Sequence, residues 1–306
     1  MGDIRATDIA NFLGEELKGH DIPILTVSSF LNLKMYSLVF TNKEFNSSNI
    51  KNLLVLCTKK NYEKSTKQSK VSYICCKNPR LAFAKIVQKF FVSEKKPIIN
   101  KTTSIAEDAI IHPSVSIGEN CVIGSGVNIN QGTIILNNVV ISDNVKIGKF
   151  CFIKSNSVIG EDGFGFDFDE DRVPIRLPHL GSVFIDDNVE IGSLNTIQKG
   201  TIDNTIINSH SKLSDHVHIA HNCNIGKNCI ISAHAQICGS VKIGNNCWIG
   251  ANSSIIQNVE IKDNVTVGIG SVVIGNVDEN KKIMGFESLD LINLRKIKKK
   301  FDYGKY

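Results

Sequence analysis

Isoleucine recurs every six residues at positions 105, 111, 117, 123, 129, 135, 141, 147, 153 and 159, without exception. The register returns at Ile185, Ile191 and Ile197, slips by four residues and resumes at Ile207. It then runs through Leu213, Ile219, Ile225, Ile231, Ile237, Ile243, Ile249, Ile255 and Ile261 to Val267 and Val273, giving 25 hexads in all. A period of six matches neither the 3.6 of a helix nor the simple alternation of a free strand. It matches a short strand plus a corner, with three such faces making a coil of about 18 residues. The branched residue points inward, and the residue four later (Val115, Cys121, Val127, Thr133, Val139, Val145, Cys151) is smaller and fills the same interior. Gly and Asn between them, as in IGENCV and IGNNCW, suit corners that need unusual backbone angles. About eight coils stacked at the inter-strand spacing give a prism ~38 Å tall. The expected fold is mainly β, a parallel β-helix over residues 101–280.

Residues 1–100 lack this period. Arg5–Leu17 carries Ile9, Phe12 and Leu13 at helical spacing behind a Thr7 or Asp8 cap, which predicts a short helix. NLLVLCTK and VSYICC read as buried strands, followed by an amphipathic helix in PRLAFAKIVQKFF. This is a small α/β domain. A tail over 281–306 continues as a final helix, with Leu289, Ile292 and Ile297 on its apolar side.

The one large interruption of the repeat is residues 160–184, rich in Gly, Pro and acidic residues. A loop of that length inside a compact fold is usually functional. Phe164 and Phe166 are candidates to cover a ligand lying along the prism.

Three of the eight histidines fall within HVHIAHN, where metal, base and structural roles are all open. The register separates them. His210, His216 and His234 each sit three after an inward residue, and His216 and His234, 18 apart, stack on consecutive coils. His218 is read as a corner residue. His221, two after Ile219, is read as an outward ring on a flat face. Its neighbour on the next coil, 18 residues on, is Gly239. A base beside an open backbone N–H is the pairing that acyl transfer requires. A metal site would need converging cysteines, and Cys223 and Cys229 occupy the inward column instead, so no metal is expected.

Composition narrows the setting. Apolar content of 42% and charged content of 21% are ordinary for a globular protein. No apolar run approaches the length of a spanning helix, and no signal peptide is recognised, so stable membrane insertion is not expected. Cys121, Cys151, Cys223, Cys229 and Cys247 share one inward position, which suits a reducing cytoplasm. The formal charge of +5 lies in the tail, where eight basic residues face Glu287, Asp290 and Asp302. That charge reads as a solvated helix end or a dock for an acidic partner. Nucleic acid is not expected, since no binding motif accompanies it.

IGEDGFGF, DNVEIG, IDNTII and HIAHNCNIG, with the N-terminal domain, resemble the UDP-3-O-acylglucosamine N-acyltransferase family of lipid A synthesis, over about residues 5–285. The resemblance implies a left-handed β-helix and a homotrimer with active sites in the clefts between subunits. It also implies acyl carrier protein, or an acyl-CoA, as thioester co-substrate, with no other cofactor. His221 falls on the family's base and Gly239 on its oxyanion glycine, with Asp215 a candidate helper and Asn222 a candidate substrate contact. Asn42 and Phe45, with Phe40, match the positions that hold uracil. Val39, Ser214 and Asn258 depart from the family pattern. They keep in view an acetyltransferase using acetyl-CoA on a nucleotide-linked deoxyamino sugar. A non-catalytic β-helix binding module is the third class.

Overall fold

The computed structural model describes residues 4–46, 50–66, 70–93 and 96–285. The chain divides into two compact units, Met1–Lys96 and Pro97–Tyr306. The predicted C-terminal helix and the basic stretch around residues 294–300 lie outside the described residues.

The first unit is a five-stranded sheet in the order Leu17–Lys18, Val71–Cys75, Leu53–Cys57, Ser37–Phe40, Thr26–Val27. Alternation along its strands sends Leu38, Leu54, Leu56 and Ile74 to one face, under the helices Ala6–Leu13 and Pro79–Ile86. Val39, Val55, Val71 and Tyr73 go to the other. The first helix contains the predicted Ile9, Phe12 and Leu13 but starts earlier than a Thr7 or Asp8 cap would place it, with Arg5 at its N-cap, and it ends where Gly14 takes a left-handed φ of 67°. Its start is secured by Asp8, which accepts the Arg5 N–H at 2.9 Å.

The second unit is the predicted β-helix. Two-residue strands form three parallel sheets of nine, nine and eight strands, and each inward isoleucine pairs with the residue 18 later, as in Ile129 with Ile147. Across the long interruption Ile147 pairs with Ile185, and across the four-residue slip Ile185 pairs with Ile207. Both insertions are thus expelled from a corner without breaking the stack. The interior is one continuous column of Ile, Val, Cys and Ala, nearly all fully buried, each large side chain adding roughly 1.5–3 kcal/mol of burial.

The corners explain the asparagines. The residue three after most inward positions has φ near +60°, as in Asn120, Asn138, Asn156, Asn228 and Asn264. The residue before it, when Asn or Asp, caps the N–H at the same position one coil back. Asn137 caps Glu119, Asp143 caps Ser125, Asp187 caps Lys149 and Asn245 caps Lys227, all within 3.0 Å.

This geometry corrects two histidine placements. His218 is not at a corner but in a strand, facing outward from a flat face, because the residue before an inward isoleucine always does. His221 is at a corner rather than on a face, in the turn with Asn222. The expected stack of His216 on His234 is present, with centroids 4.6 Å apart and planes 8° from parallel.

The three faces differ in charge. The outward column running from Ser104 through Val122, Val140, Val158, Thr196, His218, Gln236 and Ser254 to Val272 carries no charged residue. The other two carry Lys146, Lys242 and Glu260, and Glu190, Lys212 and Lys282. The His221 corner borders the uncharged face. Residues 160–184 are not a structureless loop. They hold an antiparallel hairpin, Phe166–Phe168 with Pro174–Arg176.

Candidate active site

His221 is held on two sides by its own coil and the next. Its Nδ1 lies 3.0 Å from Asn222 Oδ1. That oxygen also accepts the Thr201 N–H at 3.1 Å and the Thr201 hydroxyl at 3.0 Å. A backbone N–H can only donate, so the Thr201 bond fixes which end of the Asn222 amide is oxygen. Nδ1 of His221 must then carry the proton, and Nε2 is the free lone pair. Asn222 itself sits at φ 60°, a corner angle that asparagine tolerates well.

Nε2 faces Gly239. A Cβ placed on Gly239 would lie 2.6 Å from His221 Cε1 and 2.7 Å from Nε2, so only glycine leaves the ring its position. Gly239 occupies the corner position whose N–H is elsewhere capped by Asn or Asp of the next coil. The residue above it is Gln257, and among the described residues no hydrogen bond is made by the Gly239 N–H. A free base and an uncapped donor therefore sit side by side, the pair needed to deprotonate a nucleophile and stabilise the oxyanion it creates.

Asp215 does not join this pair. It is two after Leu213, one corner of the prism before His221. Its carboxylate accepts the Ser193 N–H at 2.8 Å and the Lys154 ammonium at 3.0 Å. Those two bonds hold it below the usual carboxylate range, the Ser193 N–H contributing most. Asp215 is thus a corner cap of the kind seen at Asp143 and Asp187. Asn222, read from sequence as a substrate contact, is hydrogen-bonded to His221 through its Oδ1.

The insertion supplies the third side. Gly163 lies against His221, where a Cβ would fall 2.9 Å from Cδ2. His179, a residue the sequence reading passed over, packs edge-on to His221 with centroids 5.5 Å apart and planes at 77°. Phe164 is 82% exposed and Phe166 39%, and their rings meet at 5.0 Å. The Arg176 guanidinium lies over the Phe166 ring, 5.0 Å from its centroid, while Phe164 is the more open of the two rings.

In the first unit the three proposed nucleotide contacts are not brought together. Phe40 packs on Phe83 under the helices. Phe45 is fully buried on the opposite face, against Phe30 and Tyr73. The strand ends at Phe40, and the turn after it carries Phe45 to the other side of the sheet. Asn42 is exposed in the turn that follows, where Thr41 Oγ1 accepts the Lys43 N–H at 3.0 Å.

Comparison with known proteins agrees with the hexapeptide-repeat β-helix. The family model for bacterial transferase hexapeptide (six repeats) matches residues 240–276, and that for the GMPPB C-terminal domain matches residues 93–163. A UDP-3-O-acylglucosamine N-acyltransferase of Campylobacter jejuni subsp. doylei is 41% identical over 255 residues, covering 75% of this chain and 76% of its own. The chain belongs to the UDP-3-O-acylglucosamine N-acyltransferase family. It is an acyltransferase. The member from Campylobacter lari is 39% identical over 250 residues, with the same coverage. Among solved structures, a UDP-N-acetylglucosamine acyltransferase superposes with a TM-score of 0.57 at 27% identity, over 67% of this chain and 80% of that one. LpxA from Acinetobacter baumannii gives 0.56 at 26%, over 65% and 77%. Among the described residues no group of three His, Cys, Asp or Glu is placed to hold a metal ion, and no helix is long and apolar enough to cross a membrane.

Proposed function

We propose that the protein transfers a 3-hydroxyacyl group from acyl carrier protein to the amino group of a UDP-linked, 3-O-acylated glucosamine, a step of lipid A synthesis in the cytoplasm. The observation that carries the chemistry is the fixed tautomer of His221, with Nε2 unprotonated beside the uncapped Gly239 N–H. The acceptor must arrive as the free amine, since an ammonium has no lone pair to attack with. As its nitrogen bonds to the thioester carbon, its proton passes to His221 Nε2. The carbonyl electron pair moves onto oxygen, where the Gly239 N–H meets it. Collapse of the tetrahedral intermediate re-forms the C=O and breaks the C–S bond. The departing sulfur takes the proton back from His221, leaving amide, free thiol and neutral base. The reading calls for no metal and no redox group.

The uncharged face supports a homotrimer. Columns of Val, Ser and Thr lose little on leaving water, whereas the charged faces would need every ion paired. Because the His221 corner borders that face, self-association through it puts the base at the rim of a cleft between two subunits. The nucleotide is assigned to the first unit through the exposed amide of Asn42, with Phe40 and Phe45 supporting the sheet from either side. Phe164 and Phe166 are assigned to the acyl groups, as exposed aromatic surface on the insertion that touches the base.

The test offers the purified protein hydroxyacyl-acyl carrier protein or acetyl-CoA with the amino sugar, and follows thiol release. Transfer from the carrier protein is expected, and His221→Ala is expected to lower kcat at least about hundredfold. Transfer only from acetyl-CoA would overturn the donor, and undiminished activity in the variant would remove the base.

A further inference from the structure

His179 belongs to the insertion, yet it is one of the most enclosed polar side chains near the base, only 5% exposed. Its Nδ1 lies 3.0 Å from the Leu177 carbonyl. A carbonyl accepts only, so Nδ1 carries the proton and Nε2 keeps its lone pair. That Nε2 is fully buried and has no hydrogen-bond partner. An orphaned acceptor of this kind costs about 1–3 kcal/mol. A phenylalanine would fill the same space at no such cost.

His179 Nε2 and the flank of His221 both border Gly163. The position a Cβ would take on Gly163 lies 2.8 Å from His179 Nε2, 2.9 Å from His221 Cδ2 and 3.0 Å from His221 Cβ. One atom of each ring and the His221 Cβ thus converge on one point above the Gly163 backbone. The neighbouring chain is tied to the same network. Leu180 donates to the Thr201 carbonyl at 2.7 Å, and Thr201 in turn donates to Asn222, the partner of His221. Lys199 and Asp162, ion-paired at 2.8 Å, anchor the glycine segment from the other side.

We propose that His179 is a positioning residue for the transfer: locked by Leu177 with its Nε2 lone pair toward the flank of His221, it holds that ring in place and favours the positive charge the ring takes up. The side of His221 near His179 then presents a negative dipole, while Asn222 Oδ1 presents another at Nδ1. Such preorganised dipoles act most strongly in a buried site, where no water reorganises around the charge. The proposal rests on His221 being the base.

Three variants and one spectrum test it. His179→Phe keeps the ring bulk and removes the lone pair, and is expected to lower kcat at least tenfold with KM for both substrates within twofold. His179→Gln can restore an oxygen acceptor near Nε2 and is expected to recover kcat to within threefold of wild type. Wild-type kcat in His179→Phe, or a His179→Gln no better than the Phe variant, would overturn the proposal. Nitrogen-15 spectra of the unsubstituted protein should assign His179 the Nδ1–H tautomer, and an Nε2–H form would overturn it even if the Phe variant failed to fold. His221→Ala distinguishes the two levels: full activity there defeats the base itself, whereas an inactive His221→Ala beside an unaffected His179→Phe defeats only the positioning role.

Discussion

The imidazole of His221 occupies the space a Cβ on Gly239 would need, 2.6 Å from Cε1 and 2.7 Å from Nε2. The two residues are 18 apart in sequence and adjacent on consecutive coils, joined also by the Ser240 N–H donating to the His221 carbonyl at 2.9 Å.

Gly239 is not in the left-handed region of backbone angles, so Gly239→Ala is expected to fold normally. The added methyl group must push the His221 ring off its site and crowd the open N–H. Loss of an oxyanion donor costs about 100- to 1,000-fold in kcat, and a fall of that size is expected with the melting temperature little changed. Near-wild-type turnover in Gly239→Ala would separate the glycine from the chemistry.

Asn222 offers a second test of the same site. Asn222→Gly keeps the positive φ and removes the amide, leaving His221 Nδ1–H without its acceptor. The neutral ring then loses its preference for the productive tautomer, and kcat is expected to fall about tenfold to hundredfold. Asn222→Asp retains an acceptor at the same place and should keep most of the activity. Equal activity in Gly and Asn proteins, measured by steady-state thiol release, would show that the tautomer is fixed by something else.

The hexad column made the β-helix legible in the sequence, because a period of six has few structural solutions and isoleucine keeps it without exception from 105 to 159. The adjacency of His221 and Gly239 followed from the same count. The roles of Asn222 and Asp215 did not. Asn222 is oriented by Thr201, which lies in the stretch where the register slips, and a slip removes the arithmetic that relates neighbours. Asp215 looked like a catalytic helper because the corner-capping rule appears only once the N–H of Ser193 is seen beneath it. His179 was invisible for a similar reason. Its position comes from how residues 160–184 fold back on the corner, which no period encodes. The family resemblance groups Phe40 and Phe45, but the alternation of the strand ends at Phe40, and the turn after it carries Phe45 to the other face.

The uncharged face makes a prediction about assembly. Val140 points outward from its centre and is half-buried in the single chain. A lysine there would place three ammonium groups in an apolar contact, each costing several kcal/mol if left unpaired. Val140→Lys is expected to sediment as a smaller species than the proposed trimer and to lose activity with it. Asn128→Lys, on the neighbouring face, should leave the sedimentation coefficient unchanged. A trimer that survives Val140→Lys would mean that a different face mediates assembly.

His218 stands in the same column, between Thr196 and Gln236. Burial lowers its pKa from the ordinary value of 6.5, because a charged ring is poorly solvated there. The sign follows from which state binds the proton first. As pH falls through 6.5 the unfolded chain protonates this histidine while the folded chain resists, so the unfolded state binds more protons and stability declines. Above 6.5 neither state is charged and the effect vanishes. His218→Gln keeps a polar side chain without the titration. The variant is therefore expected to lose less melting temperature than the wild type between pH 7.5 and about 5, and its oligomer should persist to lower pH. Parallel melting curves for the two proteins across that range would mean that the ring is solvated well enough in the folded protein to carry its charge.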